Sequence, residues 1–258
     1  MLNKLITLLS LAVLSSVLSL SAFASAGGGY PLDHVDIDVN DKAALQRGVK
    51  TFVNYCMSCH GAKYSRYNRV GEDLELSDEQ VINNLIFTTD EKGARTHPAS
   101  LMKVAMSEDY AKEAFGVVPP DLSLIARIRG ADWLYTYLRT FYKDDSRAIG
   151  INNAVFPNVG MPHVLGELQG MQQAIFETHV DESGRQRKTL SGFKKVTEGS
   201  MSTAEYDAMI SDLVTFFVYV GEPAQLKRRA IGIYVILFLL VLLAVSYMLK
   251  KEYWKDVH

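Results

Sequence analysis

The stretch "NYCMSCHGAKY", residues 54–64, contains both cysteines of the 258-residue chain and one of its six histidines. Cys56, Cys59 and His60 form a Cys-x-x-Cys-His motif, which is the signature for attachment of a c-type haem. Each thiol can add to one vinyl group of the porphyrin, and the adjacent imidazole can then reach the iron from the same side. The motif therefore predicts one haem c bound covalently through Cys56 and Cys59, with His60 as an axial ligand.

Three other kinds of site use paired thiols, and the sequence supports each of them less well. A thioredoxin-like pair belongs in a βαβ setting, whereas this motif follows a predicted helix. A structural zinc site needs four ligands, and the chain has no second cysteine pair. A disulfide between the two cysteines would close a very short loop and stabilise little. A chance match is the last alternative, and export of the domain, which the amino-terminal end predicts, counts against it.

The amino-terminal end has the layout of a secretory signal peptide. Lys4 is followed by a serine-containing apolar run and then by "ASA" at residues 24–26, which predicts a signal peptide over residues 1–26. Cleavage after Ala24 and an uncleaved anchor helix are the alternatives. The segment is not an Arg-rich amphipathic transit peptide, so we expect a protein exported by a bacterium.

The carboxyl-terminal end contains an apolar segment, "AIGIYVILFLLVLLAVSYML", at residues 230–249. At about 1.5 Å per residue it would form a helix about 30 Å long, enough to cross a bilayer. A buried helix of a soluble domain is the alternative. Basic residues flank both ends, so the positive-inside rule gives no orientation. Export instead predicts residues 27–226 as a domain on the periplasmic side of the bacterial inner membrane and residues 250–258 as a cytoplasmic tail.

The region between these ends is predicted to be mainly α-helical with long loops. A helix capped at Asn40 or Asp41 ends at Cys56, and a second begins at a capping box of Ser202 and Glu205. Shorter helices are predicted in "LSDEQVINNLIF", "PPDLSLIARIRG" and "ADWLYTYLRTFY", and alternation around residues 183–184 is typical of a small β-hairpin. The formal net charge of −2 gives no support to nucleic-acid binding.

The second axial position could be filled by methionine, by histidine or by no protein ligand. Met161 lies between Gly160 and Pro162 in "FPNVGMPHVL", where a helix interior is excluded. His163 and His97 are rival ligands. Ordinary packing is the simpler interpretation of five other methionines: Met102, Met106, Met171, Met201 and Met209.

The propionates of a haem call for cationic partners. Arg127 and Arg129 in "IARIRG" are candidates, although a solvent-exposed helix face is the simpler interpretation of both. From the residues alone, neither the sixth ligand nor the propionate partner is decided.

The order of these motifs resembles the cytochrome c1 family. "CMSCH", "PPDLSLIARIRG", "FPNVGMP" and a single carboxyl-terminal apolar helix follow one another as they do in that family, and Tyr64 and Tyr67 match its "Y..Y" pattern. The resemblance covers the mature chain. It implies a class I c-type cytochrome-like haem domain, mainly α, with one transmembrane helix.

Carried over by position, the resemblance implies that Cys56 and Cys59 bind haem and that His60 and Met161 are its axial ligands. The remaining implied site residues are a propionate partner, two wall residues and an aromatic neighbour, namely Arg129, Pro119, Pro120 and Trp133. The sequence departs from mitochondrial members at "AKEAFGVV", residues 111–118, and in its shorter spacing between the arginine and the methionine loop, which indicates a bacterial form.

The resemblance implies an electron-carrying subunit of the quinol–cytochrome c oxidoreductase, the cytochrome bc1 complex. The expected partners are cytochrome b, the Rieske iron–sulfur subunit, a cytochrome c acceptor and membrane lipid, in a dimeric complex. The chain is expected not to be an enzyme on its own. Alternatives are the monohaem cytochrome subunit of another oxidase or denitrification system, a haem enzyme or gas sensor with an open sixth position, and a non-haem thiol oxidoreductase.

An acidic stretch, "GEDLELSDE" at residues 71–79, has two interpretations. A negative patch could steer a basic electron acceptor. Alternatively, Asp78 and Glu79 stabilise a helix start while the other acids are solvated. We favour the second interpretation.

Overall fold

The computed structural model describes residues 30–90, 92–104, 106–180 and 184–256. The predicted signal peptide of residues 1–26 therefore lies outside the described residues, as do the first residues of the predicted exported domain and the last two of the predicted tail. Within the described part the chain is mainly helical, with a few short strands. The predicted fold class is confirmed.

The helices are α1 (Lys42–Thr51), α2 (Tyr67–Asp73), α3 (Asp78–Leu85), α4 (Glu108–Phe115), α5 (Ile125–Arg129), α6 (Ala131–Arg139), α7 (Gly166–Gln169), α8 (Thr203–Gly221) and α9 (Gln225–Tyr253). The strands are β1 (Ala62–Arg66), β2 (Leu101–Met102), β3 (Phe141–Lys143), β4 (Ile151–Asn153), β5 (Gln172–Val180) and β6 (Gln186–Lys195).

Helix α1 delivers the Cys-x-x-Cys-His motif, as the sequence predicts. Its amino terminus is capped by Asp41, whose carboxylate accepts the Ala44 N–H at 3.0 Å. After Thr51 the backbone changes to a π-helical turn over Phe52–Cys56, a rare conformation that is frequent at functional sites. The N–H groups of Cys59 and His60 then both donate to the Cys56 carbonyl, at 3.1 and 2.8 Å. The motif is therefore wound into one tight turn.

Helix α8 is the central element of the core and packs against α1, α5 and α6. It begins at the predicted capping box of Ser202 and Glu205. Where α1 and α8 meet, a Cβ added to Gly48 would lie 2.2 Å from the Asp212 carbonyl oxygen, so this close approach requires glycine. The core around α1 and α8 includes Leu45, Val49, Phe52, Ile210, Leu213 and Phe216, all nearly inaccessible to solvent.

Two small sheets complete the domain. Strands β1 and β2 pair antiparallel, and the other sheet has the order β4-β3-β5-β6. Strands β5 and β6 form the predicted hairpin, with Gln172 opposite Lys195 and Val180 opposite Gln186. The sequence did not predict β3 and β4, because strands of three residues carry too little alternation to be recognised.

Helix α9 contains a segment, Ala230–Tyr253, that is long and apolar enough to cross a membrane. Its apolar side chains face outward rather than into the core. Only residues 222–224 separate α9 from α8. Gly221, the last residue of α8, and Pro223 lie at this junction.

Candidate haem site

One cavity of about 410 Å³ brings together the predicted attachment cysteines Cys56 and Cys59, the predicted ligand His60, and Met161, the sixth ligand that the resemblance implies. Its volume lies within the usual range for small-molecule and cofactor sites. The walls come from the π-helical turn after α1, the loop before α5, helices α5, α6 and α8, and the loop around residue 161. The apolar wall residues include Val117, Leu122, Ile125, Leu134, Val159, Leu213 and Phe217.

The two cysteines are free thiols, Cys56 buried and Cys59 half-buried. Burial raises the pKa of the Cys56 thiol to about 12, so this thiol is protonated at neutral pH. Catalytic thiol pairs depend on a thiolate whose pKa is lowered. The environment of Cys56 therefore disfavours a thiol oxidoreductase.

His60 is held with one ring nitrogen available for a metal. Its Nδ1 lies 2.7 Å from the carbonyl oxygen of Pro120, so Nδ1–H donates and Nε2 is left with its lone pair. Burial lowers the pKa of His60, opposed in part by the hydrogen bond to Pro120. A neutral imidazole with a fixed tautomer is the form that ligates haem iron.

The "PPDLS" motif positions Pro120 by binding the chain that follows His60. The carboxylate of Asp121 accepts the backbone N–H groups of Lys63 at 2.8 Å and Ser123 at 3.0 Å. The buried Ser123 hydroxyl oxygen accepts the N–H of Tyr64 at 3.1 Å. Sequence reasoning missed these roles of Asp121 and Ser123, since each is a side-chain contact to backbone about 60 residues away.

The loop that carries Met161 is organised by two adjacent asparagines at the end of β4. Asn153 Oδ1 accepts the N–H groups of Val155 at 2.9 Å and Phe156 at 3.0 Å, and its Nδ2 donates to the Tyr137 carbonyl at 2.7 Å. Asn152 Oδ1 accepts the N–H of Asn158 at 2.8 Å. Sequence reasoning did not identify either asparagine.

Met161 lies in this irregular loop, as predicted, and its sulfur accepts a hydrogen bond from the Tyr137 hydroxyl at 3.4 Å. Burial raises the pKa of Tyr137, so the hydroxyl is a donor at neutral pH. Sequence reasoning missed Tyr137, since nothing in "ADWLYTYLRTFY" distinguishes its hydroxyl from that of Tyr135.

The rival ligands lie away from the cavity wall. The His163 ring stacks on Phe141, with centroids 4.9 Å apart and planes at 4°, and burial lowers its pKa to about 4. His97 is exposed, and its Nδ1 accepts the Ala99 N–H at 3.1 Å. Met102 is fully buried in the core. Of the sixth-ligand candidates, Met161 is the one at the cavity.

The two arginines of "IARIRG" face different parts of the molecule. Arg129 lines the cavity, and its guanidinium lies 4.9 Å from the ring centroid of Trp133 and 5.7 Å from that of Phe156. Arg127 instead pairs with Glu222 at 3.8 Å, near the junction of α8 and α9. The geometry therefore separates Arg129 from Arg127 as a candidate propionate partner.

These residues fit a haem c. Two thiols, a neutral imidazole and a thioether are the donor set of a c-type haem with His/Met ligation. The apolar wall suits a porphyrin ring, and Arg129 with Trp133 supplies a cationic edge. Pro119 and Pro120, which the resemblance implies as wall residues of a haem pocket, both line the cavity.

Several acids of the stretch at residues 71–79 have structural roles. The buried Asp73 carboxylate accepts the Arg69 Nε–H at 2.7 Å and the Tyr219 hydroxyl at 2.9 Å. Asp78 and Glu79 lie in the first turn of α3, behind a capping box of Ser77 and Gln80. The placement of Asp78 and Glu79 agrees with the interpretation favoured from sequence, in which they stabilise a helix start. The expectation that the other acids are solvated is wrong for Asp73, which is buried because its carboxylate is paired with Arg69 and Tyr219.

Comparison with known proteins gives concordant results. Residues 35–257 match the model of the Cytochrome C1 family. A protein of Allochromatium vinosum named "Cytochrome c1" is 50% identical over 94% of this chain and 96% of its own length. A Nitrosomonas europaea protein named "Ammonia monooxygenase gamma subunit" is 47% identical over 91% of this chain and 92% of its own length.

A more distant relative, "Cytochrome b/c1" of Bradyrhizobium diazoefficiens, is 26% identical over 84% of this chain, and the match covers 34% of that protein. The family model spans almost the entire described region, from the loop before α1 to the end of α9. It therefore includes every residue of the cavity described above. The chain belongs to the Cytochrome C1 family.

Proposed function

We propose that this chain is the haem-carrying electron-transfer subunit of a membrane quinol–cytochrome c oxidoreductase. It takes single electrons from a Rieske iron–sulfur subunit and passes them to a cytochrome c, and it is not an enzyme on its own. The observation that carries the proposal is the convergence of Cys56, Cys59, His60 and Met161 on one apolar cavity. Membership of the Cytochrome C1 family supports it.

Cys56 and Cys59 would hold the haem covalently, because each thiol could add its S–H across one vinyl C=C bond of the porphyrin. Sulfur would bond to one vinyl carbon and hydrogen to the other, so no oxidant would be required. When bound, the haem supplies a one-electron Fe(III)/Fe(II) couple. His60 donates through Nε2 because Pro120 holds its other nitrogen, and Met161 donates through sulfur.

The remaining residues of the cavity exclude water and orient the cofactor. Arg129, held between the rings of Trp133 and Phe156, balances the charge of a propionate. With both axial positions filled by protein, no coordination site is left for substrate. The chemistry is then outer-sphere electron transfer, and the open-site enzyme or gas sensor is disfavoured.

The chain is proposed to be exported and anchored. Residues 1–26 act as a signal peptide, residues 27–226 form the haem domain on the periplasmic side of a bacterial inner membrane, residues 230–249 cross it, and residues 250–258 remain in the cytoplasm. The apolar α9 supports the anchor. The relative whose name joins cytochrome b and c1 in one polypeptide supports cytochrome b as a partner. A dimeric complex is the expected assembly.

Membership of another membrane complex is the alternative, whether in an oxidase, a denitrification system or an assembly like that named for the Nitrosomonas relative. The family match and the 50% identical relative named "Cytochrome c1" do not favour it.

Purification of the full chain in mild detergent tests the proposal. We expect haem peroxidase staining to persist on denaturing gels, and to be weaker in Cys56→Ser or Cys59→Ser and absent when both are replaced. We expect cytochrome b and a Rieske subunit to co-purify. Absence of stain in the wild-type protein would refute the covalent haem. Covalent haem with monooxygenase or oxidase subunits as the only partners would refute the complex while sparing the haem site.

A further inference from the structure

The Tyr137 hydroxyl contacts the sulfur that is proposed to bind iron. We infer that Tyr137 is a positioning residue, whose hydrogen bond to Met161 holds the thioether in place and raises the reduction potential of the site. This inference rests on the proposed function, because it requires Met161 to be an axial ligand. It goes beyond that function by assigning control of the potential to a side chain that does not itself bind the metal.

The Tyr137 ring is fixed from several directions. It stacks on Trp133, with centroids 4.9 Å apart and planes at 10°, and it meets the edge of Phe141 at 5.0 Å and 68°. Since Trp133, Tyr137 and Phe141 lie four residues apart, helix α6 and the start of β3 present them as one aromatic cluster. The Tyr137 ring therefore cannot carry its oxygen away from Met161 without breaking two ring contacts.

The donor and the acceptor of this hydrogen bond are tied to the same side chain. Asn153 donates to the Tyr137 carbonyl and accepts the N–H groups that open the Met161 loop, those of Val155 and Phe156. Asn153 is fully buried. Asn153 therefore restrains both the helix that carries the donor and the start of the loop that carries the acceptor, whose oxygen and sulfur lie 3.4 Å apart.

A thioether sulfur has two lone pairs, so it can bind iron with one and accept a hydrogen bond with the other. The donor hydrogen brings positive partial charge close to the sulfur and withdraws electron density from it. Ferric iron carries one more positive charge than ferrous iron, so this arrangement destabilises the oxidised state relative to the reduced state. The hydrogen bond therefore raises the reduction potential, and its loss lowers it.

The test compares Tyr137→Phe with Tyr135→Phe in the full haem-loaded chain. Tyr137→Phe keeps the ring stack and removes the hydroxyl; Tyr135→Phe removes a hydroxyl from the same helix, and the ring over which Arg139 lies is kept. We expect Tyr137→Phe to lower the ferrous-to-ferric ratio at a fixed ambient potential by threefold to tenfold, tenfold being about 59 mV for one electron. We expect Tyr135→Phe to match the wild type.

Two further measurements separate an effect through sulfur from a general structural effect. Exogenous imidazole should displace Met161 faster in Tyr137→Phe, read from loss of the thioether-to-ferric charge-transfer band. In a Met161→His background, where the sulfur is gone, adding Tyr137→Phe should leave the potential unchanged. An equal shift in both backgrounds would overturn the inference.

The outcomes also distinguish this inference from the proposed function. If the wild-type protein shows the thioether band and Tyr137→Phe has an unchanged potential and displacement rate, the role of Tyr137 is refuted while the ligand assignment stands. If the wild-type protein lacks the band and binds carbon monoxide when reduced, Met161 is not a ligand, and the ligation and the inference both fail.

Discussion

Replacing Asn153 with alanine should release the Met161 loop before the domain unfolds. Asn153 is 0% exposed, and its side chain makes three hydrogen bonds of 2.7, 2.9 and 3.0 Å. At about 0.5–1.5 kcal/mol for each hydrogen bond, their loss lowers the free energy of unfolding by about 1.5–4.5 kcal/mol. The upper half of that range is favoured because the Tyr137 carbonyl and the two N–H groups would stay buried without a hydrogen-bond partner.

The effect on the site should exceed the effect on the fold, because two of the three partners belong to the loop that carries Met161. We therefore expect Asn153→Ala to retain covalent haem but to bind carbon monoxide in the reduced state, as the sixth position opens. Asn153→Asp keeps an acceptor for Val155 and Phe156 and loses the donor to Tyr137, so its effect should be intermediate.

The assay is denaturant unfolding followed by haem absorbance, together with carbon monoxide titration, on the full chain in detergent. The matched control is Asn84→Ala, since Asn84 is exposed and makes one hydrogen bond, to the Gln80 carbonyl. Wild-type stability and no carbon monoxide binding in Asn153→Ala would show that this side chain does not organise the loop.

Three other changes test separate parts of the structure. Gly48→Ala should lower the melting temperature, because the new Cβ would meet the Asp212 carbonyl oxygen at 2.2 Å and overpacking costs about 1–3 kcal/mol. Gly192→Ala, whose Cβ would enter open space, is the control, and equal melting temperatures of the two variants would contradict the close approach. Asp121→Ala removes the acceptor for Lys63 and Ser123 and should reduce the fraction of chains that carry haem, measured as haem per protein; unaltered loading would show that this clamp is dispensable. Hydrogen bonds from Ser146 and Asn152 lower the pKa of Asp144 below 3.8, so its ionised form stabilises the fold above that pH, and this contribution is lost as the pH falls toward the lower folded-state pKa. Asp144→Asn should therefore weaken the fall in the free energy of unfolding at acid pH, and an unchanged pH dependence would exclude Asp144 as its source.

The sequence predicts the parts of this fold that are encoded locally. Asp41, one of the two caps that the sequence allows for α1, and Ser202, the predicted cap of α8, both cap their helices, because a capping interaction involves residues two or three positions apart. The Cys-x-x-Cys-His motif is equally local, so Cys56, Cys59 and His60 could be named from the residues alone. The residues alone leave the sixth ligand open, and Met161 is implied by the family resemblance.

The features that could not be predicted from the sequence depend on contacts between residues far apart in the chain. Asn153 holds Tyr137 across 16 residues, and Asp121 holds Lys63 across 58, so neither leaves a short-range pattern. Strands β3 and β5 pair in parallel, with Lys143 opposite Gln173. This pairing depends on the path of the chain between the two strands, which no local pattern specifies. The π-helical turn that ends at Cys56 could not be predicted either, because apolar residues at helical spacing do not distinguish a π-helical turn from an α-helical one.

The short connection between α8 and α9 limits how the protein can work. Residues 222–224 could span about 10 Å at full extension, and Glu222 pairs with Arg127 on one side and Arg228 on the other. A haem domain joined so closely to a membrane helix would stay near the bilayer surface. Under the proposed function, the electron donor and the electron acceptor would therefore have to reach this subunit, which would remain in place between them.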